Sequence, residues 1–405
     1  MLKKIAVQSL RPGMFLHELC GSWMEHPFWN TKFLLEDPAD IARIFASNIK
    51  ECWIDTSKGL DVETSETREV AAERNEQVLI DAVLAEPEPA ARQELAAEVQ
   101  RAAKICGKAK TAIVSMFKEA RMGKAVDAGE FAPLVEEITN SVMRNPGALV
   151  SLARLKTKDD YTYMHSVAVC GLMVALSRQL GLDAEQTRQA GLGGLIHDLG
   201  KAAIPLEILN KPGKLTDQEF VRVKSHPVEG HRMLVEGGGA GPVPLDVCLH
   251  HHEKVDGSGY PDKLSADDIS LYAKMGAVCD VYDAITSNRP YKAGWNPAEA
   301  LRKMTEWRNG HFDERIFQAF VKSVGIYPVG SLVRLESGLL AVVVETAETS
   351  LLTPKVKTFY CMRRKERLIP RIVDLGRPQA GDRITGWESP ERWPFPDLEE
   401  LWQTA

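Results

Sequence analysis

The residues best suited to chemistry centre on Leu195-Ile196-His197-Asp198-Leu199-Gly200-Lys201. Adjacent His and Asp on a helix can serve one metal centre, with the carboxylate bridging to a second ion. Lys201, four residues after His197, faces the same way on such a helix. A cation there could hold a phosphate oxygen or steady a leaving group. A lone His-Asp pair is common by chance, so its companions carry the argument. His165 comes 32 residues before His197, and His226-Pro227 follows. His250-His251-His252-Glu253 then runs into Asp256-Gly257-Ser258-Gly259-Tyr260-Pro261, and Asp280 and Asp283 precede Arg289, Tyr291 and Lys292. Imidazole and carboxylate donors suit Zn, Fe, Mn or Ni rather than a thiolate-selected metal. His and Asp in this proportion are what a bridged dimetal hydrolase needs. Its two ions activate a water and stabilise the attacking and leaving oxygens of an in-line displacement.

These residues need a helical frame, and the sequence supplies one. Residues 129–325 read as mostly α. Val167 to Leu180 is an apolar helix ending at Gly181, and the small residues from Gly191 to Gly200 permit close helix packing. Asp217 to Val235 and Pro297 to Val324 read as further helical segments. Residues 1–62 mix short β-prone runs with Pro-Gly turns, and Asp37-Pro38 reads as a helix start with Asp as N-cap. Residues 63–128, rich in Glu, Ala, Lys and Arg, read as a helical connector broken at Glu86-Pro87-Glu88-Pro89. Its charges fit a solvated face, with a dimerising helix as the alternative. Residues 326–405 turn β-rich, through Val329–Leu335, Leu339–Glu345 and Lys357–Cys361. The expected fold class is therefore mainly α, with a small α+β N-terminal domain and a β-rich C-terminal extension.

Bulk properties narrow the setting. The chain has 405 residues, 44% hydrophobic and 26% charged, as in ordinary soluble proteins. Its 50 basic and 56 acidic residues give a net charge of −6, which argues against a nonspecific binder of nucleic-acid polymers. Seven scattered cysteines with no Cys-x-x-Cys pair argue against a disulfide framework or a structural zinc site. With no apolar leader or stretch of about 20 apolar residues, no membrane insertion is expected, and the cytoplasm is the expected location.

The ordered motifs HDLGK, HP, HHExxDGxGYP and DxxDA resemble the HD-GYP family, a branch of the HD superfamily of metal-dependent phosphohydrolases. The resemblance covers about residues 140–325, and residues 1–60 are similar to an uncharacterised domain often fused to this module. It implies an all-helical HD-type catalytic domain that hydrolyses cyclic di-GMP to the linear dinucleotide pGpG or on to GMP, using iron or manganese. It places His165, His197, Asp198, His226, His251 and Asp280 at metal-ligand positions, with Asp198 as the bridge. His252 matches the second His of the pair. Lys201 matches the lysine near the scissile phosphate, and with Asp198 forms the expected catalytic pair. Arg289 and Lys292 match basic residues that hold substrate phosphate, and Tyr260 belongs to the GYP loop, linked to substrate or partner contacts. A diguanylate cyclase of the GGDEF type and a second copy of the chain are the implied protein partners. Three-metal relatives carry a Glu where this chain has Tyr161, and Asp159 and Asp160 are out of register, so two metals are expected.

Other residues are less decided. Asp283 is expected on the substrate-binding side, with an outer carboxylate that orients a ligand, or a helix cap, as the alternatives. Glu253 is either such an outer partner or a structural acceptor. The offset to the GYP loop makes His251 and His252 the pair, so His250 keeps a structural role; His231 reads as a helix-surface residue or an outer partner of the site, and His311 follows a glycine at an expected helix break. Formal charges favour a phosphate diester: two divalent ions bring about +4 and Asp198 and Asp280 return about −2, leaving about +2 before Lys201. The expected activity is therefore cyclic-dinucleotide hydrolysis in bacterial signalling. Its rivals are a nucleotide- or cyclase-binding module with little turnover, hydrolysis of another nucleotide such as cyclic GMP-AMP, and dimetal oxygenase chemistry.

Overall fold

The structure, a computed structural model, describes residues 2–20, 32–47, 49–62, 66–67, 74–80, 95–154, 161–211, 213, 215–287, 294–347, 350–389, 392–393 and 395–403. Arg289 and Lys292 lie outside these residues, as do Asp159, Asp160 and the Glu86–Pro89 break. The backbone of Tyr161 opens a helix, but its side chain is also outside the description.

The N-terminal part is an antiparallel sheet of β1 (Leu2–Ala6), β2 (Phe15–Cys20), β3 (Phe33–Leu34), β4 (Glu51–Asp55) and β5 (Glu66–Thr67), in the order β3-β2-β4-β1-β5. The helix Pro38–Phe45 starts as its sequence requires. Asp37 accepts from the Ala39 N–H at 2.8 Å, and Pro38 takes the first turn, where no donor is needed. Ile41 and Ile44 join Ile5, Leu16 and Ile54 in the small core beneath. β5 falls inside the stretch expected to be helical; Lys3 and Lys4 of β1 pair with it and extend the sheet.

The helix Leu95–Arg121, within the expected connector, packs into the helical part. Its apolar stripe, Ala102, Ile105, Ala109, Ile113, Met116 and Phe117, shares one buried cluster with Val135, Ile138, Val167, Ile196 and Leu199. Side chains buried this fully stabilise by roughly 1.5–3 kcal/mol each for the larger ones.

Two largely buried helices, Tyr161–Gln179 and Leu271–Thr286, pass through the centre of the helical part. Against the first packs Ala184–Ile196, drawn close by glycine: a Cβ on Gly194 would stand 3.1 Å from the Cys170 backbone. The expected segment from Asp217 to Val235 is two helices, Asp217–Lys224 and His226–Gly237, meeting at Ser225. Likewise Pro297–His311 and Glu314–Val324 divide at Phe312, because Asp313 caps the second helix by accepting from Ile316 N–H at 3.1 Å. The helix Pro242–His250 completes the frame around the site.

The C-terminal part is a second antiparallel sheet, β6 (Leu332–Leu335), β7 (Leu339–Glu345), β8 (Lys355–Cys361), β9 (Glu366–Asp374) and β10 (Ile384–Trp387), in the order β10-β6-β7-β8-β9. Among the described residues, no helix is long and apolar enough to cross a membrane.

Candidate metal centre

Each donor is held at or near the end of a helix, or on one of the two buried helices. His165 lies on Tyr161–Gln179, and Asp280 and Asp283 lie on Leu271–Thr286. His197 caps the C-terminus of Ala184–Ile196, and Asp198 opens the short turn Leu199–Ala203. His226 is the first residue of its helix, and His251 caps Pro242–His250. The helical spacing expected from His197 to Lys201 is therefore corrected. The helix stops at Ile196, and the tighter turn brings Lys201 onto Asp198 instead, with Nζ 2.5 Å from Oδ2.

Glycine makes this turn possible. A Cβ on Gly200 would stand 1.8 Å from the His226 carbonyl oxygen and 2.4 Å from the Gly230 nitrogen. The turn and the helix His226–Gly237 touch backbone to backbone, which fixes Asp198 beside His226.

The six expected ligand side chains converge. Asp198 Oδ1 lies 3.2 Å from His226 Nε2 and 3.9 Å from His251 Nε2, and its Oδ2 lies 3.4 Å from His197 Nε2 and 3.6 Å from His165 Nε2. One carboxylate thus faces two pairs of imidazoles, one pair on each oxygen. Asp280 Oδ1 is 2.9 Å from His165 Nε2, and its Oδ2 is 3.8 Å from His252 Nδ1. All six are buried, with His252 slightly more open.

The outer nitrogens explain the convergence. Nδ1 of His197 faces the Gly194 carbonyl at 2.8 Å, Nδ1 of His226 faces Val223 O at 2.8 Å, and Nδ1 of His251 faces Val247 O at 3.0 Å. Nδ1 of His165 faces Asp283 Oδ2 at 2.6 Å. With Nδ1 engaged outward, all four Nε2 atoms point inward, the orientation of ligating histidines.

Electrostatics agree at Asp198, Asp280, His251 and His252. Burial alone would raise Asp198, but Lys201 and His197 outweigh it and hold the carboxyl well below the carboxylate range. Burial likewise opposes ionisation of Asp280, and the His165 hydrogen bond and charge overcome it. Burial, reinforced by His197 and His226, pushes His251 down to about 3, so this ring stays neutral and able to ligate. Burial and His251 lower His252 as well. His197 goes the other way: burial would lower it, but the Asp198 charge raises it.

The donor set fits divalent metal. His197 Nε2 and Asp198 Oδ1 are buried with no hydrogen-bond partner. Leaving such groups unmade costs about 1–3 kcal/mol each, more when charged, and a cation between them would relieve this. Three overlapping groups could grip an ion: His165 with His197 and Asp280, His197 with Asp198 and His251, and His226 with His251 and His252.

Asp283 needs correction. It is 2% exposed, and its carboxylate receives His165 Nδ1 and the Ser287 hydroxyl, so it stands behind a ligand rather than on the substrate side. Glu253 is the structural acceptor: Oε1 takes the N–H of Asp262 at 2.7 Å and of Lys263 at 3.0 Å, and Oε2 that of Leu264 at 3.1 Å. This ties down the GYP loop, and the Tyr260 ring lies stacked on His252, centroids 4.7 Å apart. Lys224, which the sequence did not single out, places Nζ 5.1 Å from the Tyr260 ring centre. His311 is partly buried, and desolvation, with Lys254 nearby, pushes it down to about 3.

A buried cluster of four imidazoles and two carboxylates on packed helices defines a metal-dependent hydrolase of the HD class. Comparison agrees: residues 142–316 match the HD domain, and residues 2–131 match a domain of unknown function (DUF3391). The chain is 57% identical over 403 residues to a cyclic di-GMP phosphodiesterase of Pseudomonas aeruginosa, covering 99% of this chain and 96% of that one. A cyclic di-GMP phosphodiesterase response regulator of Xanthomonas campestris is 41% identical over 155 residues, 38% of this chain and 40% of its own. A 3'3'-cGAMP-specific phosphodiesterase of Vibrio cholerae is 35% identical over 167 residues, 41% of this chain and 38% of its own. Among solved structures, an HDG"Y"P protein of Bdellovibrio bacteriovorus covers 79% of this chain and 98% of its own at 18% identity, with TM-score 0.46. The chain belongs to the HD-GYP family of metal-dependent phosphohydrolases.

Proposed function

We propose that this chain hydrolyses cyclic di-GMP, opening it to pGpG or taking it on to GMP. The carrying observation is the near full-length 57% identity to a cyclic di-GMP phosphodiesterase, on a chain whose four Nε2 atoms converge on two carboxylates. His165, His197, Asp198, His226, His251 and Asp280 would hold two divalent ions, iron or manganese, with His252 beside the second. Bound there, the ions activate a water and neutralise phosphoryl oxygens.

The chain's own residues do the rest. Asp198 sets the spacing between the two sets of imidazoles. Lys201, 26% exposed on its side chain and touching Asp198, offers its ammonium to the scissile phosphate. Asp283 fixes the His165 ring. Tyr260, leaning on His252, forms a wall of the site. Arg289 and Lys292 are proposed for the second phosphate. The four-part division 1–62, 63–128, 129–325 and 326–405 accompanies this reading, as do a GGDEF-type cyclase and a second copy as partners.

The test is a product time course from cyclic di-GMP with anaerobically purified protein, metal analysed, supplied with Mn or Fe(II). His197→Ala and Asp198→Ala are expected to abolish hydrolysis with the helical circular dichroism kept. Unchanged turnover in either variant overturns the assignment. The 3'3'-cGAMP-specific relative supports a second reading, hydrolysis of the mixed dinucleotide, and competition between the two substrates decides between them.

A further inference from the structure

We infer that His250 is a positioning residue, clamping the GYP loop so that Tyr260 keeps its place on His252. This rests on the proposed cyclic-dinucleotide hydrolysis, and it gives a role to the histidine that the motif spacing leaves out.

His250 is engaged on both sides. Its Nδ1 lies 2.7 Å from Asp246 Oδ1, one turn earlier on the same helix, and its Nε2 lies 3.1 Å from Asp262 Oδ2. The side chain is 17% exposed. Among the described residues it belongs to none of the groups able to grip an ion. Both nitrogens are committed to carboxylates, so this ring ties rather than ligates.

The two carboxylates reach separate parts of the site. The other oxygen of Asp246 accepts from the Ser270 hydroxyl, and Ser270 caps the helix Leu271–Thr286 through Ala273 N–H at 3.0 Å. That helix carries Asp280 and Asp283. Asp262 stands two residues after Tyr260, and its backbone N–H is held by Glu253 at 2.7 Å. Asp262 is thus gripped twice, by its backbone and by its side chain. The imidazole sets the distance between Asp246 and Asp262, and so sets the loop against the helix Pro242–His250. With the loop fixed, the Tyr260 ring stays stacked at 27° on His252. Releasing the clamp moves a wall of the site and leaves the ligands in place. The expected signature is weaker substrate binding with the chemical step retained.

The test uses the full-length, metal-loaded protein and the variants His250→Ala, Asp262→Ala, the double variant and His250→Gln. Steady-state kinetics on cyclic di-GMP, metal content and amide hydrogen exchange are measured for each. Both single variants are expected to raise KM severalfold, with kcat and metal content within about twofold of the parent. The double variant is expected to be no worse than the poorer single one, because the two residues form one clamp. His250→Gln, whose amide donates to one carboxylate at a time, falls between. Exchange in 257–264 accelerates while that in 226–251 is unchanged. Unaltered KM and exchange in the single variants overturn the inference, as does loss of metal or kcat with KM unchanged, which would make His250 a mere support for His251. If the parent does not hydrolyse cyclic di-GMP, the proposed function fails, and the exchange measurement alone then decides the clamp.

Discussion

His165 bridges two carboxylates of one helix: Nδ1 is 2.6 Å from Asp283 Oδ2, and Nε2 is 2.9 Å from Asp280 Oδ1. Asp283 and Asp280 lie three residues apart on Leu271–Thr286 and so share a face. The inner one lines the centre and the outer one sets the ring. Removing the outer carboxylate should leave the ligand present but free to turn. Asp283→Ala is expected to weaken metal binding by about 10–100-fold, the usual cost of losing such a partner. Asp283→Asn, which keeps an acceptor oxygen, should lose less. Competition titration with a metallochromic chelator measures both, and unchanged affinity in Asp283→Ala would remove Asp283 from the site.

Gly200 gives a sharper steric prediction. A Cβ there would stand 1.8 Å from a backbone oxygen, so the turn Leu199–Ala203 and the helix His226–Gly237 must part. Gly200→Ala should destabilise by about 1–3 kcal/mol or more, the scale of overpacking. It should also separate Asp198 from His226, so activity and metal content fall beyond what the lower Tm explains. Thermal unfolding alongside metal analysis checks this.

A pH dependence of stability follows from Glu98. Its side chain is fully buried, 2.7 Å from Arg144 Nε and 2.7 Å from the Ser141 hydroxyl. Burial alone would raise its pKa, but Arg144, Ser141 and Arg101 outweigh that and hold it below the ordinary 4.5. A lowered folded-state value means stability present above 4.5 and lost as pH falls below it toward the folded value. Glu98→Gln should flatten that acid limb in urea titrations between pH 6 and about pH 3. Arg144→Ala, which strands the buried carboxylate, should cost about 3 kcal/mol near neutral pH.

Much of this was legible in the sequence, for physical reasons. Ordered His and Asp motifs are local, so their resemblance to the HD-GYP family could nominate six expected ligand side chains before any fold was known. Helix starts such as Asp37-Pro38 are equally local. What escaped depends on tertiary contact. The end of the helix at Ile196, which sends Lys201 to Asp198, is set by backbone packing of Gly200 on His226. Whether Asp283 faces substrate or ligand turns on the position of a different helix. Helix Leu95–Arg121 read as a connector because its composition is rich in Glu, Ala, Lys and Arg, yet its apolar stripe packs against the helices that carry His165 and His197. The His250–Asp246 pair did leave a signal, opposite charges one turn apart, but nothing local shows Asp262 arriving on the other side.

Lys201 supports a prediction that separates binding from chemistry. Its Nζ lies 2.5 Å from Asp198 Oδ2, the oxygen that His165 and His197 also face. A cation placed there competes with metal for the same carboxylate and helps hold Asp198 ionised. Lys201→Met removes the competitor. Metal affinity near neutral pH should then be equal or tighter, since His197 and His226 beside Asp198 still favour its ionised form. Catalysis should move the opposite way, because a preorganised charge aimed at developing negative charge contributes about 3–4 kcal/mol. The expected kcat is therefore lower by about 100-fold or more, in a protein that holds its metals at least as well. Paired metal titration and single-turnover kinetics on cyclic di-GMP read both quantities. Loss of metal together with activity would show that the ammonium supports the centre rather than the reacting phosphate.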